Sequence, residues 1–383
     1  MGFEQKAPPA AGGQALWERY RDEFPVTRNL VYLNHAAVAP LPLCAARAMQ
    51  ALAQDALEYG SLHYNRWLDA YEALRNSAAR LIGAQRSEIA MVKNTSEGIA
   101  TIAMGIDWKP GDRIVAFREE FPANFYPWKR LETQRCYVEW LSIHDSLETI
   151  DMACRGARLL AVSFVQYLSG LRMDLEAIGR IAKSHGCFFF VDAIQGLGAF
   201  PLNVQTANID ALAADGHKWL LGPEGFGILY VRKEKQDLIF PREFGWTNVA
   251  GYNDYSSRDM TLRQDAGRYE CGTLNTIGCY GLRASLDLLL EIGVERIAEA
   301  ILALTDQLAE GAARKGYTLL GERNGDNASG IISLHQSGID SRKVTRDLKE
   351  RGIVAAPRQG WVRLSPHFYL SPADIERVIE ALP

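Results

Sequence analysis

A lysine and an acid whose surroundings suit cofactor chemistry lie 26 positions apart, at Lys218 and Asp192. Asp192 closes the apolar, aromatic run 188–191, which is typical of a strand buried on both faces. Lys218 stands between His217 and Trp219, just ahead of a glycine-rich segment. A buried lysine amine can form a Schiff base, and a carboxylate can keep a pyridine nitrogen protonated so that the ring accepts electrons. The pair therefore predicts a pyridoxal 5'-phosphate (PLP) enzyme.

Each of these residues also has an ordinary structural explanation. Most lysines lie at the surface, but the apolar neighbours 219–221 favour burial of Lys218, which lowers the pKa of its amine. An acid at the end of a strand often caps the next helix, but ligands bind outside the carboxyl ends of parallel strands, where Asp192 is expected. Gln195, three residues later, is a candidate hydrogen-bond donor to the phenolic oxygen of the cofactor, or simply a polar loop residue.

A candidate phosphate site lies in the segment 93–99, which follows a predicted strand and opens an apolar-periodic stretch. Thr95 and Ser96 would place N–H groups and hydroxyls at a helix N-terminus, which is an anion site by geometry and dipole. An ordinary helix N-cap is the alternative. Phe121, in an aromatic cluster broken by two prolines, is a candidate to stack on a flat cofactor ring, and core packing is its alternative.

Arginines near the C-terminus are candidates for binding the α-carboxylate of an amino-acid substrate, because the guanidinium fork matches a carboxylate. Arg363 is the first candidate and Arg358 is the competing one. A surface salt bridge is the alternative explanation. Asn34 and His35 are further candidates for the substrate site.

The elements that would position these residues alternate between strands and helices from about residue 85 to 235, which implies a three-layer α/β domain with parallel strands. After about residue 278, amphipathic helices, two strands and a closing helix indicate a smaller α+β domain. We predict a leader and a helix that packs with the small domain at 1–30, a large PLP-binding domain at 31–280 and a small C-terminal domain at 281–383.

Composition narrows the class of protein. Of 383 residues, 48% are hydrophobic and 23% are charged, and the net charge of −4 without a basic run argues against nucleic acid as a partner. No stretch approaches about 18 consecutive apolar residues, so no membrane span is expected. The six cysteines include no Cys-x-x-Cys pair, so we predict no metal site and a reducing cytoplasm. Residues 1–14 carry no signal pattern and are expected to form a floppy leader.

Together these segments resemble the class V aminotransferase family of fold-type I PLP enzymes, the group that includes cysteine desulfurases and isopenicillin N epimerase-like proteins. The resemblance runs from 32–36 to 363–367, and its most specific motifs are 191–195 and 216–218. It implies a large domain with a mostly parallel sheet, a smaller C-terminal α+β domain and PLP as the cofactor.

The resemblance also assigns roles. Lys218 would form the Schiff base, Asp192 would pair with the pyridine nitrogen and Gln195 would contact the phenolic oxygen. The residues expected to hold the phosphate are Thr95, Ser96 and His217, with Gly272 and Thr273 reaching the phosphate of a partner subunit. A homodimer with shared active sites is therefore expected.

Three departures from the family pattern bear on the reaction. Phe121 stands where many desulfurases stack a histidine on the ring, and Asp215 stands where many members have a serine, so Asp215 is not expected to touch the phosphate. Desulfurases also carry a cysteine on a loop upstream of the arginine that corresponds to Arg363, whereas 280–383 contains no cysteine. A persulfide-forming desulfurase needs that nucleophile.

The predicted function is a PLP-dependent enzyme acting on an amino acid, with an aminotransferase first, a C–S (β-)lyase second and an epimerase third. The candidates for the side-chain pocket that separates these reactions are His35, Tyr64, Phe125, Trp246 and Arg358. A protein that had lost catalysis would lack the lysine or the acid. An NAD enzyme would need a Gly-x-Gly-x-x-Gly segment, and none opens the α/β region.

Overall fold

The computed structural model describes residues 14–383, so residues 1–13 of the predicted leader lie outside the described residues. Its strands, in chain order, are β1 (Val31–Tyr32), β2 (Ile89–Val92), β3 (Arg113–Phe117), β4 (Tyr137–Leu141), β5 (Leu159–Ser163), β6 (Phe188–Asp192), β7 (Ala211–Asp215), β8 (Gly227–Val231), β9 (Thr318–Leu319), β10 (Ile332–His335), β11 (Ile353–Val354), β12 (Ala356–Arg358) and β13 (Trp361–Leu364).

The helices flank these strands. In chain order they are α1 (Leu16–Tyr20), α2 (Leu43–Tyr59), α3 (Tyr64–Ile82), α4 (Thr95–Gly105), α5 (Tyr126–Arg130), α6 (Leu147–Cys154), α7 (Leu175–Ser184), α8 (Thr276–Ile292), α9 (Val294–Arg314), α10 (Ser341–Glu350) and α11 (Pro372–Ala381). Short 3₁₀ turns occupy Arg21–Glu23, Pro25–Arg28, Arg86–Glu88, Pro122–Asn124, Leu131–Gln134, Lys233–Leu238 and Ala266–Tyr269.

A seven-stranded sheet forms the centre of the molecule, with the strand order β2-β8-β7-β6-β5-β3-β4. The strands from β7 to β4 are parallel, and β8 runs antiparallel between β7 and β2. Every residue of β5, β6 and β7 is buried, as expected for strands covered by helices on both faces. The predicted three-layer, mostly parallel α/β architecture is confirmed.

Helix α4 lies unusually close to the sheet because of a glycine. A Cβ atom built on Gly98 would lie 2.6 Å from the Cβ of Ala213 in β7, so a side chain here would push the helix away. Since α4 starts directly after β2, this close packing holds the N-terminus of α4 at the carboxyl ends of the strands.

The C-terminal part contains a four-stranded antiparallel sheet with the order β12-β13-β10-β9. Helices α9 and α11 pack together beside it. The N-terminal segment joins this part, because the ring of Phe24 stacks on Tyr369 with centroids 3.8 Å apart. Residue 280 lies inside α8, so the proposed boundary between 31–280 and 281–383 crosses a continuous helix.

Two long helices, α2 and α3, are not anticipated by the sequence analysis. Both pack against α8, and α3 has a clear apolar face. Neither helix begins with a side-chain cap hydrogen bond, which removes a start signal. Among residues 14–383, no helix has the length and apolar character needed to cross a membrane.

Candidate active site

A cavity of about 470 Å³ opens at the carboxyl ends of the central strands. The residues at these ends come from β2, β5, β6 and β7, where ligands of α/β proteins commonly bind. The predicted site residues that line the cavity are Thr95, Ser96, Phe121, Asp192, Gln195, His217, Lys218 and Arg363. The fold therefore brings together side chains that are up to 268 positions apart in the sequence.

Asp192 ends β6 and is only 3% exposed. Its Oδ1 atom accepts a hydrogen bond of 3.1 Å from the N–H of Ile194. Burial raises the pKa of Asp192 from 3.8 to about 6, and the Ile194 N–H and the charge of Lys218 oppose that rise. A further cation placed against this carboxylate would stabilise its charged form, which is what a protonated pyridine nitrogen provides.

Lys218 follows β7 in a tight turn, in which the N–H of Leu221 donates to its carbonyl over 3.0 Å. Leu221 has a φ of +58°, a conformation that costs a non-glycine residue about 1–2 kcal/mol. The side chain of Lys218 keeps part of its surface open to the cavity. Burial lowers the pKa of Lys218 from 10.5 to about 8, and the charge of Asp192 opposes the shift. About a tenth of the amine is therefore neutral at pH 7, far more than for an ordinary lysine.

The neighbours of Lys218 are fixed by hydrogen bonds. The His217 carbonyl accepts from the N–H of Ala39 over 2.7 Å. The Trp219 indole donates to Gln195 Oε1 over 3.0 Å, and Gln195 Nε2 donates to the carbonyl of Ala36 over 3.0 Å. An amide nitrogen carries two hydrogens, so Gln195 keeps one donor beyond this contact.

Asp215 ends β7 beside His217. Its Oδ1 lies 3.0 Å from His217 Nδ1, although the angles are not those of a hydrogen bond. Its N–H donates to Thr95 Oγ1 over 2.9 Å. Asp215 therefore contacts two residues expected to hold the phosphate and can orient both.

The N-terminus of α4 forms an anion cradle beside these residues. Asn94 caps the helix by accepting from the N–H of Glu97 over 2.9 Å, which leaves the earlier N–H groups of Thr95 and Ser96 without helical carbonyl partners. The Thr95 hydroxyl accepts from Asp215 and still has its own hydrogen to donate. Ser96 is exposed. This arrangement suits a phosphate group.

Phe121 precedes the 3₁₀ turn Pro122–Asn124 and is 46% exposed. Its ring meets the ring of Tyr167 edge to face at 5.3 Å, and its centroid lies 5.7 Å from Lys218 Nζ. An aromatic ring that lines a cavity with this much free surface can cover one face of a flat cofactor.

Arg363, in β13, is 2% exposed. Its Nη1 atom donates to the carbonyl of Tyr167 over 2.8 Å, and its buried Nε has no hydrogen-bond partner in the described part of the chain. Burial lowers the pKa of Arg363 to about 10, and the charge of Arg358 adds to that effect. An incompletely paired, buried guanidinium is a receptor for a carboxylate.

Two predicted substrate residues do not line the cavity. His35 is fully buried, with Nδ1 2.8 Å from the Ser365 carbonyl and Nε2 2.6 Å from the Tyr369 hydroxyl. Burial lowers its pKa to about 4, so the ring is neutral. Asn34 forms an isolated backbone bridge with Ser365, and its buried Oδ1 has no hydrogen-bond partner. Both residues join the N-terminal and C-terminal segments.

Gly272 and Thr273 also lie outside the cavity of their own chain. They line a smaller hollow of about 140 Å³ together with Lys93 and Glu97. Thr273 is exposed there. Any contact of these two residues with a cofactor phosphate would have to involve a second copy of the chain.

The structure adds residues that the sequence analysis does not select. Tyr167 lines the cavity and is contacted by Arg363 and by Gln359, whose Nε2 donates to its hydroxyl over 2.8 Å. Glu120 is buried and accepts from the N–H of Ser163 over 2.7 Å, and burial raises its pKa to about 7. A polar residue at the end of a buried strand was the available signal for Ser163, whereas Tyr167 lies in a loop without such a signal.

The residues of the cavity fit PLP. The cradle at α4 matches its phosphate, Asp192 matches a protonated ring nitrogen, and the amine of Lys218 matches its aldehyde. The orphaned Nε of Arg363 leaves a place for a substrate carboxylate. Across residues 14–383, no cluster of three or more His, Cys, Asp or Glu side chains could hold a metal ion.

Comparison with known proteins gives the same assignment. The family described as aminotransferase class-V matches residues 31–368. A probable cysteine desulfurase of Pyrococcus abyssi is 30% identical, covering 95% of this chain and 96% of its own, and the uncharacterized aminotransferase YcbU of Bacillus subtilis is 29% identical, covering 96% and 97%.

A solved structure agrees over nearly the whole fold. The apo cysteine desulfurase of Thermococcus onnurineus superimposes with a TM-score of 0.88 at 29% identity, covering 95% of this chain and 96% of that one. The predicted resemblance, fold class and cofactor are thereby confirmed. This chain belongs to the class V aminotransferase family and is a PLP-dependent enzyme of fold-type I.

Proposed function

We propose that this enzyme is an aminotransferase that acts on an amino acid. The observation that carries the proposal is the combination of Lys218, Asp192 and Arg363 around one cavity that no cysteine lines. These groups supply an amine, an acid for the ring nitrogen and a carboxylate receptor. They do not supply a sulfur acceptor.

When bound, PLP supplies an aldehyde that condenses with amines and a ring that accepts electrons from the carbon next to the amine. Lys218 is the residue that would hold the aldehyde. With a substrate amine in its place, Nζ of Lys218 would be free to take the proton from the substrate α-carbon. A pKa of about 8 suits this work, because a general base is most effective when its pKa is near the working pH.

The remaining residues of the cavity bind the cofactor or orient the residues that bind it. Asp192 keeps a proton at the ring nitrogen, and Phe121 covers one ring face. Gln195 donates to the phenolic oxygen with the hydrogen that Ala36 does not use. Thr95, Ser96 and His217 bind the phosphate, and Asp215 orients His217.

Arg363 binds the α-carboxylate of the substrate. Its contact with the Tyr167 carbonyl fixes the guanidinium, so little side-chain freedom is lost when the substrate arrives. Because Arg363 lies in the C-terminal sheet and Lys218 in the turn that follows β7 of the central sheet, the substrate lies between the two parts of the chain.

The segment upstream of Arg363 supports the low rank of a classical desulfurase. It is a tight hairpin of β12 and β13 joined by Gln359 and Gly360, with no extended loop and no cysteine. Cys271 is a partly exposed thiol that lines the smaller hollow beside Thr273, and burial raises its pKa, with Glu243 adding to the rise. A thiol with a raised pKa is a poor nucleophile.

A C–S (β-)lyase is the second candidate. The Pyrococcus abyssi relative is named as a probable cysteine desulfurase, which favours C–S chemistry in this part of the family. A lyase uses the same lysine and acid, and it expels a β-substituent without a protein thiol. The product, not the cofactor site, distinguishes the two reactions.

Cofactor attachment is tested by borohydride reduction. The purified holoenzyme should lose its yellow colour and carry a reduced cofactor adduct on Lys218, located by peptide mass spectrometry. Lys218→Ala should carry none, whereas the exposed Lys343→Ala control should behave like the wild type. An adduct on another lysine in Lys218→Ala would refute the assignment.

The reaction is tested by incubating the holoenzyme with a panel of amino acids and a keto acid acceptor. Keto acid formation that depends on the acceptor supports an aminotransferase. Sulfide and pyruvate released without an acceptor would establish the lyase instead, and racemised substrate would establish an epimerase. A persulfide on the protein would overturn the low rank of a desulfurase.

We also propose a homodimer with shared sites. Large apolar side chains remain exposed near Thr273, among them Phe244, Trp246, Tyr255 and Ile277. If Thr273 completes the phosphate site of the partner, Lys218→Ala and Thr273→Val chains refolded together, and assayed at a PLP concentration too low for either variant alone to be active, should regain about a quarter of wild-type activity, because half the dimers carry one intact site. No recovery would mean that the sites are not shared.

A further inference from the structure

Two arginines lie on the same face of one hairpin in the cavity. Strands β12 and β13 pair antiparallel, with Ala356 opposite Arg363 and Arg358 opposite Trp361. Directly opposed residues and residues two apart along a strand share a face of the sheet. Arg358 and Arg363 therefore project from one face, and both line the cavity. We call this hairpin, Ala356–Leu364, the arginine hairpin.

The turn of the arginine hairpin fixes that arrangement. Gln359 and Gly360 have φ values of +49° and +88°, which is the backbone of a two-residue type I′ turn. Gln359 Nε2 donates to the Tyr167 hydroxyl over 2.8 Å, and Arg363 Nη1 donates to the Tyr167 carbonyl over 2.8 Å. Two hydrogen bonds thus hold the hairpin to the large domain, one to the hydroxyl and one to the carbonyl of Tyr167.

The charge of Arg358 is not neutralised by the described part of the chain. Within residues 14–383 it forms no ion pair, and its hydrogen bond is a 3.3 Å contact from Nη1 to the neighbouring Pro357 carbonyl. Its charge reaches the other cations of the cavity, since it contributes to lowering the pKa of both Arg363 and Lys218.

The acids of the cavity are engaged elsewhere. Asp192 interacts with Lys218, and Asp215 lies 3.0 Å from His217. Neither forms an ion pair with an arginine of the hairpin. One α-carboxylate satisfies one guanidinium, so the cavity retains a second cation after Arg363 has bound it.

We propose that Arg358 binds an acidic group on the substrate side chain, so that the enzyme prefers amino acids whose side chain ends in a carboxylate. This inference rests on the proposed function, in which Arg363 binds the α-carboxylate. Arg358 is exposed at the mouth of the cavity and Arg363 is buried, so a side chain extending outward from the α-carbon meets Arg358. Arg358 is then a specificity-determining residue.

The first test compares matched substrates with the holoenzyme: glutamate against glutamine, and aspartate against asparagine. The wild type should favour the acid of each pair. In Arg358→Gln the acid-to-amide ratio of kcat/KM should fall about 10-fold, the value of one partly exposed charge-assisted contact. Arg342→Gln, an exposed arginine on α10 outside the cavity, should keep the wild-type ratio.

The second test measures binding without turnover. Calorimetric titration of the holoenzyme with glutarate and with pentanoate, which differ in the second carboxylate, should give tighter binding of glutarate. Arg358→Gln should remove most of that difference, and Arg358→Lys should restore part of it.

The outcomes separate this inference from the proposed function. A wild type that transaminates amino acids with no preference for acids, or equal losses for acids and amides in Arg358→Gln, would overturn the role of Arg358 alone. A wild type that transaminates no amino acid of any side chain would overturn the proposed function as well.

Discussion

The two charged regions of the cavity differ in how their charges are compensated. In the strand-end region, formed by Asp192, Asp215, His217 and Lys218, each basic side chain has an acid beside it. In the arginine hairpin, Arg358 and Arg363 contact carbonyl groups, and no acid of residues 14–383 forms an ion pair with either. In the first region the charges compensate one another around a group that stays bound. In the second region the positive charge is not compensated, as expected where an anionic ligand binds and leaves in every turnover.

The sharpest way to break this comparison is to remove the acid of the strand-end region. Asp192→Asn should lower kcat by about 10³-fold, because the amide cannot hold the positive charge on the cofactor ring. Asp210→Asn provides the control, since Asp210 is also buried but precedes β7 at the opposite edge of the sheet. Steady-state kinetics with saturating PLP make the measurement. An Asp192→Asn enzyme with kcat close to wild type would contradict the assigned role.

The next largest effect is expected for a substitution in the arginine hairpin. Arg363→Lys keeps the charge and loses the fork, so KM for any reactive amino acid should rise about 10- to 100-fold. The change in kcat should be smaller, because the carboxylate is held before and during the reaction. Arg342→Lys is the matched control. A fall in kcat at constant KM would show that Arg363 acts on the chemistry and not on binding.

The affinity for PLP tests the role of the anion cradle at the N-terminus of α4. Thr95→Val keeps the shape of the side chain and removes the hydroxyl, so the dissociation constant for PLP should rise about 10-fold. Thr101→Val is the control, because its hydroxyl bonds back to the Glu97 carbonyl on the same helix and faces no cofactor site. Equilibrium dialysis against PLP measures both. Equal affinities in the two variants would exclude Thr95 from the cradle.

The smallest effect concerns the apo protein and pH. Burial raises the pKa of Asp192 from 3.8 to about 6, so the folded chain binds this proton more tightly than the unfolded chain. The resulting stability is complete below pH 3.8 and is lost as the pH rises through about 6. The free energy of unfolding of the wild type should therefore fall between pH 3.8 and about 6. In Asp192→Asn this fall should be smaller by about 2 kcal/mol. Urea unfolding of both apo proteins at several pH values measures the difference, and parallel curves would contradict it.

Local sequence patterns were sufficient for the strand-end region. A buried aromatic strand that ends in Asp192 and an apolar flank around Lys218 are both visible within ten residues, and the fold brings them together because parallel strands end at one edge. The three-layer architecture follows from the same alternation of elements.

Long-range contacts explain what the sequence could not reveal. His35 is removed from the cavity by its contacts with Ser365 and Tyr369, which lie 330 and 334 positions away. The shared face of Arg358 and Arg363 depends on the turn at Gln359 and Gly360, and only the strand register makes it visible. A Gln-Gly pair between two short strand-like segments was the available signal.

The turn after β7 has a consequence for how Lys218 works. His217 is tied to Ala39, Trp219 is tied to Gln195, and the carbonyl of Lys218 itself is held by Leu221. These hydrogen bonds hold the residues on both sides of Lys218, so in the proposed reaction its amine would move only as far as its four-carbon chain allows. Its amine then remains beside the reacting carbon at an effective concentration far above that of a free amine in solution. In the proposed reaction, proton transfer and recapture of the cofactor are therefore intramolecular events.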